Sequence, residues 1–121
     1  MTARIAIATA AEFPDLDEDG PVLLAALAER GFPAEPAVWT DQDVDWSAYE
    51  LVAVRSTWDY QNRREEYVAW TRHVEAQTCL LNPAAVVEWN TDKAYLRRFE
   101  ANGIPVVPTC WLEQGSRASL K

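Results

Sequence analysis

Short, uninterrupted apolar runs alternate along this chain with stretches that repeat every three to four residues, and this alternation constrains the fold more than any other feature. Ile5-Ala6-Ile7-Ala8 and Leu51-Val52-Ala53-Val54 have the form of central parallel strands covered on both faces. Residues 32–39 read as a further strand, which Pro33 and Pro36 place near a sheet edge. Residues 78–81 give a fourth short strand and residues 104–109 a fifth extended run. Gly20-Pro21 opens a helix carrying Leu23, Leu24, Leu27 and Ala28, and Gly31 supplies its left-handed stop. Asn62 with Glu65 reads as a capping box for a helix that places Tyr67, Trp70, Thr71 and Val74 on one face. Asn82-Pro83 starts a brief helix through Trp89; Asn90 or Thr91 caps another, with Tyr95 and Phe99 as core pairs and Gly103 as its end. The order β-α-β-β-α-β-α-α-β predicts an α/β fold: a mostly parallel, open, Rossmann-like sheet with helices on both faces.

The chain has 121 residues, which suits one domain. Its net charge of −8 argues against binding nucleic acid or an anionic membrane, since both need a basic face. Cys79 and Cys110 each lie in or beside an apolar stretch and read as buried free thiols. With one histidine, the chain offers no structural zinc pattern. The first apolar run is too short for a signal peptide or a membrane span, so a cytoplasmic protein is expected. Most of the six tryptophans are expected in the core or as pocket walls.

Open parallel sheets bind ligands beyond the carboxyl ends of their strands. The loop Arg55-Ser56-Thr57-Trp58-Asp59-Tyr60 leaves such an end and is the most informative segment. Arg55 emerges at the sheet rim, where a guanidinium can hold a carboxylate or phosphate in a fork. Ser56 and Thr57 add hydroxyls, Trp58 and Tyr60 flat walls, and Asp59 a carboxylate for a substrate amine; a plainer reading pairs Arg55 with Asp59. Glu12, near the end of the first strand, is a further candidate for that amine. Lys93, expected in the first turn of a helix, suits an anion held there. The acidic residues Asp15, Asp17, Glu18 and Asp19 read as complements to a helix dipole, and His73 as structural. No GxGxxG or Walker loop is present, and Arg55-Ser56 stands where a response-regulator receiver needs its aspartate.

Four segments carry a resemblance: Val-Asp-Trp-Ser-Ala-Tyr-Glu-Leu-Val-Ala-Val-Arg-Ser-Thr-Trp-Asp-Tyr (44–60), Leu-Leu-Asn-Pro (80–83), Trp-Asn-Thr-Asp-Lys-Ala-Tyr-Leu (89–96) and Gly-Ile-Pro-Val-Val-Pro-Thr (103–109). Together they resemble the N-terminal part of ATP-grasp ligases, in the group that contains the cycloserine synthetases, which cyclise O-ureido-D-serine. The resemblance implies a pre-ATP-grasp domain over residues 1–109, with residues 110–121 a truncated linker toward a missing ATP-grasp region. It implies an enzyme in which ATP phosphorylates an amino-acid derivative, with ATP and Mg2+ held mostly by that missing region. Lys93 then contacts ATP phosphates, and Arg55 to Tyr60 line the side of a small amino-acid-like substrate. No catalytic residue and no metal ligand is expected in this chain, which by itself is expected to be inactive; a homodimer stays open. The alternative is a non-catalytic Rossmann-like module that binds a small amino acid or a partner protein.

Overall fold

A computed structural model describes residues 3–117, and within it the chain divides into two compact units, Met1–Thr91 and Asp92–Lys121. The first unit is built on four strands, β1 (Ile5–Thr9), β2 (Ala34–Val38), β3 (Leu51–Ser56) and β4 (Cys79–Leu81). All pairings are parallel and the order is β2-β1-β3-β4. Helices α1 (Gly20–Glu29), α2 (Arg64–Glu75) and α3 (Ala84–Asn90) alternate with the strands, and 3-10 turns cover Trp46–Ala48 and Trp58–Asn62. The α/β architecture expected from the sequence is the one observed, with the proline-bearing β2 at an edge.

β1 lies at the centre because its small residues suit close packing: Ala6, Ile7 and Ala8 are at most 2% exposed. Beside the sheet, Ala6 and Ala8 join a core cluster with Trp39, Trp46, Tyr67, Trp70 and Val74. Two alanines on the central strand leave room for large rings, and those rings meet at centroid distances of 5.2 Å (Trp39–Tyr67), 5.3 Å (Trp46–Trp70) and 5.5 Å (Tyr67–Trp70). The stripe read from the sequence of α2, Tyr67, Trp70, Thr71 and Val74, is the buried face of that helix. Gly31, at φ 81°, ends α1 in the left-handed conformation expected of it.

Several local expectations are corrected. Asn62 does not cap α2: it belongs to the 3-10 turn, the N-cap is Arg63, and no side chain bonds there. Cys79 and Cys110 are both exposed. β4 is an edge strand of three residues in which only Leu80 points inward, so alternation turns Cys79 and Leu81 out.

In the second unit, α4 (Tyr95–Ala101) begins later than expected, with Ala94 as N-cap. Asp92 instead ties a preceding turn by accepting from the Ala94 amide at 2.9 Å. Residues 104–109 join no sheet among the described residues. Arg97 closes this unit locally, bonding Glu113 at 2.9 Å and lying 4.6 Å from the Trp111 ring centre. Among the described residues, no helix is long and apolar enough to cross a membrane.

Candidate functional site at the switch point of the sheet

From β1 the chain moves outward to β2, then crosses back over β1 to β3. The carboxyl ends of β1 and β3 therefore form the point where the winding reverses, and their two loops leave in different directions. Register shifts at the same place: Ala8 pairs with Val54 but Thr9 pairs with Ser56, so Arg55 is a surplus residue in β3. A bulge of this kind re-aims the side chain it carries.

Arg55 is aimed at the loop after β1. Its Nε and one terminal nitrogen donate to the Asp17 carboxylate at 3.3 and 3.4 Å, and Asp19 lies 3.9 Å away. The pairing with Asp59 weighed from the sequence is not the one formed. The β1 loop is held in shape from inside, where the Thr9 hydroxyl donates to the Phe13 carbonyl at 2.7 Å and Ala10 N–H donates to the Ser56 carbonyl at 3.0 Å. Leu16 sits buried at φ 73°, an uncommon conformation for leucine, and turns Asp17 back toward the sheet. Asp17 thus serves as partner to Arg55, and the first turn of α1 contains no acidic residue.

A cleft of about 220 Å³ opens beside Arg55, walled by Trp58, Tyr60 and Tyr67 and bordered by Thr57, Asn82 and Asn90. Tyr60 stacks on Tyr67 with centroids 5.1 Å apart, which fixes the aromatic wall. The Tyr67 and Thr57 hydroxyls lie 2.9 Å apart and are buried. Burial pushes the Tyr67 hydroxyl above its ordinary range, only partly offset by the bond with Thr57, so it stays protonated at neutral pH. On its other side Trp58, half exposed, meets Phe13 edge-to-face at 5.2 Å and borders a second, acidic cleft of about 630 Å³ with Asp15, Asp17, Glu18 and Asp19.

The structure thus gathers Arg55, Thr57, Trp58 and Tyr60 on one cleft. Ser56 lies behind the rim, fully buried, its hydroxyl without a hydrogen-bond partner. Asp59 accepts from the Trp39 indole nitrogen at 2.8 Å. Glu12 is exposed in the turn after β1, and neither Glu12 nor Asp59 lines the two clefts. Lys93 belongs to the second unit, exposed, ahead of α4 and not in its first turn; its ammonium is 5.7 Å from the Tyr95 ring centre. Sequence reasoning missed Tyr67, Asn82 and Asn90 as cleft residues. The signal for Asn82 was present: an Asn-Pro step closing a strand, here at φ 63°, marks a left-handed turn.

Residues 5–82 match the family described as the D-cycloserine synthetase DcsG, N-terminal domain. This chain belongs to that family. It is 40% identical over 114 residues to the cycloserine biosynthesis protein DcsG of Streptomyces lavendulae, a match covering 94% of this chain and 38% of that protein. The crystal structure of D-cycloserine synthetase DcsG superposes with a TM-score of 0.81 at 39% identity, over 87% of this chain and 35% of that one. The chain therefore spans little more than a third of the proteins it matches. The Arg55–Tyr60 string lies inside the matched family segment and Lys93 outside it.

Proposed function

We propose that this chain is the substrate-side domain of an ATP-dependent ligase of cycloserine biosynthesis, acting in the cytoplasm. The ligase activates an amino-acid derivative by phosphorylation and cyclises O-ureido-D-serine to D-cycloserine. The observation that carries the reading is Arg55, re-aimed by a bulge at the switch point of a sheet that belongs to the DcsG N-terminal family.

Within this chain the work is binding and orientation. Arg55 offers a two-pronged donor that a substrate carboxylate can share with, or take from, Asp17; the ion pair is partly exposed and its bonds are long, so it is readily exchanged. Trp58, Tyr60 and Tyr67 exclude water from one side of the cleft, and the Asn82 and Asn90 carboxamides supply neutral donors and acceptors. Asp59 and Thr57 hold the aromatic wall through Trp39 and Tyr67.

Among the described residues, no group of three or more His, Cys, Asp or Glu is placed to hold a metal ion. Lys93 precedes a helix of seven residues. ATP and Mg2+ belong, in this proposal, mostly to the rest of the ligase, with Lys93 contributing one phosphate contact.

The test is made in the ligase containing this domain. Arg55→Ala is expected to raise KM for the amino-acid substrate at least about tenfold while leaving KM for ATP nearly unchanged, and Arg55→Lys should rescue little, because the fork is lost. Lys93→Ala is expected to do the reverse, raising KM for ATP. Equal effects of Arg55→Ala on both substrates would remove Arg55 from the substrate site. Absence of nucleotide-dependent phosphate release with any amino-acid derivative would leave the non-catalytic binding module as the reading.

A further inference from the structure

We infer that Arg64 is a positioning residue of the cleft beside Arg55: it fixes the carboxyl end of α3 against the start of α2, and so sets where Asn90 and Thr91 stand relative to Tyr67. α3 has seven residues, too few to hold a helix without help from outside, and only Ala84 and Val87 are buried. The help comes from α2. At one end of α3, Glu75 accepts from the Ala84 N–H at 3.0 Å. Further along, Arg72 pairs with the Glu88 carboxylate. At the end that borders the cleft, Arg64 donates through Nε to the Thr91 hydroxyl at 3.1 Å and through a terminal nitrogen to the Glu88 carbonyl at 3.1 Å.

The last carbonyls of a helix have no partner within it and carry the negative end of its dipole, so a guanidinium suits them. Thr91 donates its own hydroxyl proton to the same Glu88 carbonyl at 2.9 Å, which leaves the hydroxyl oxygen to accept from Arg64 and uses both lone pairs of the carbonyl. Arg64, Thr91 and Glu88 thus close on one another, within one turn of Tyr67 along α2. Asn90 and Thr91 wall the cleft from α3, and Tyr67 walls it from α2. The Asn90 carboxamide has no hydrogen bond of its own among the described residues, so its place is given by the backbone that Arg64 holds. Arg64 is exposed, and an exposed polar contact adds little to stability. Its removal is therefore felt in the cleft more than in the fold.

Two measurements test this, the first free of the ligase reading and the second resting on it. In this chain, Arg64→Ala should speed amide hydrogen exchange at least about fivefold at Thr91, whose N–H bonds the Val87 carbonyl at 3.0 Å. Exchange at Ala84, at the opposite end of α3, should stay as it is, and the thermal midpoint should fall by no more than about 4 °C. In the ligase containing this domain, Arg64→Ala should raise KM for the amino-acid substrate at least about fivefold with KM for ATP unchanged. Arg64→Lys, which can make one of the two bonds, should recover part of the loss. Arg72→Ala removes another guanidinium between the same two helices, one that lines no part of the cleft, and should leave substrate KM as it is. Unchanged exchange at Thr91, an unchanged substrate KM, or equal effects of Arg64→Ala and Arg72→Ala on that KM would each overturn the proposal. A wild-type ligase without nucleotide-dependent phosphate release would end the ligase reading alone, and the exchange measurement would still decide whether Arg64 holds α3.

Discussion

The indole nitrogen of Trp39 donates to the Asp59 carboxylate at 2.8 Å, joining the residue after β2 to the 3-10 turn after β3 across the full width of β1. Trp39 is 2% exposed, so this bond satisfies a donor that has no access to water. Asp59→Ala should therefore lower unfolding free energy by about 1–3 kcal/mol, and Asp59→Asn, which keeps an acceptor, by less. Denaturant unfolding measures both. Should Asp59→Asn instead leave stability unchanged and raise the substrate KM of the ligase, Asp59 would belong with the substrate amine.

Ser56 presents the opposite case. Its hydroxyl is buried without a partner, a desolvation cost with no return in the folded state. Ser56→Ala is expected to be neutral or to stabilise by up to about 1 kcal/mol, read as the denaturant midpoint at constant m value. A clear loss of stability would show that the hydroxyl is bonded in solution.

Gly20 is set by space. A Cβ added there would stand 2.4 Å from the Leu16 Cβ, in the loop that turns Asp17 toward Arg55. Gly20→Ala should cost about 1–3 kcal/mol as that loop is displaced. In the ligase proposed above, the same variant should alter substrate KM more than KM for ATP, since it moves the partner of Arg55.

Alkaline pH should weaken the fold before it reaches the arginines. Burial, then the hydrogen bond it donates to Glu35 at 2.8 Å, pushes the Tyr49 hydroxyl from 10.0 up to about 12. Between those values the unfolded chain has released a proton that the folded chain keeps, so stability present below pH 10 is lost as pH rises toward about 12. Tyr67 shifts in the same direction. Thermal midpoints measured across that range should fall for the wild type and fall less steeply for Tyr49→Phe.

How far the sequence disclosed this molecule depends on the range of the interaction that fixes each part. The buried stripe of α2 was legible because it repeats within one helix, and β1 because it is buried on both faces. The exposed Cys79 was not, because three residues on an edge strand carry too little pattern to show which way they face. Asn62 and Glu65 had capping-box spacing, but a 3-10 turn consumes Asn62 before α2 starts. The Arg55 rim was visible as a cluster, while its partner Asp17 was not: they are joined across 38 residues by a loop whose course depends on the left-handed Leu16. Tyr67 lies on the helix stripe legible in the sequence and belongs to the core, and nothing local to it announces that the same ring also walls a cleft.

The surplus residue in β3 has an evolutionary corollary. Side chains downstream of Arg55 owe their facing to a single unmatched position, so gaining or losing one amino acid between Val54 and Trp58 would exchange what is hidden for what is displayed. Divergence at this rim should proceed by replacing residues at fixed length, whereas the hairpin-free crossings at the opposite end of the strands are free to grow and shrink.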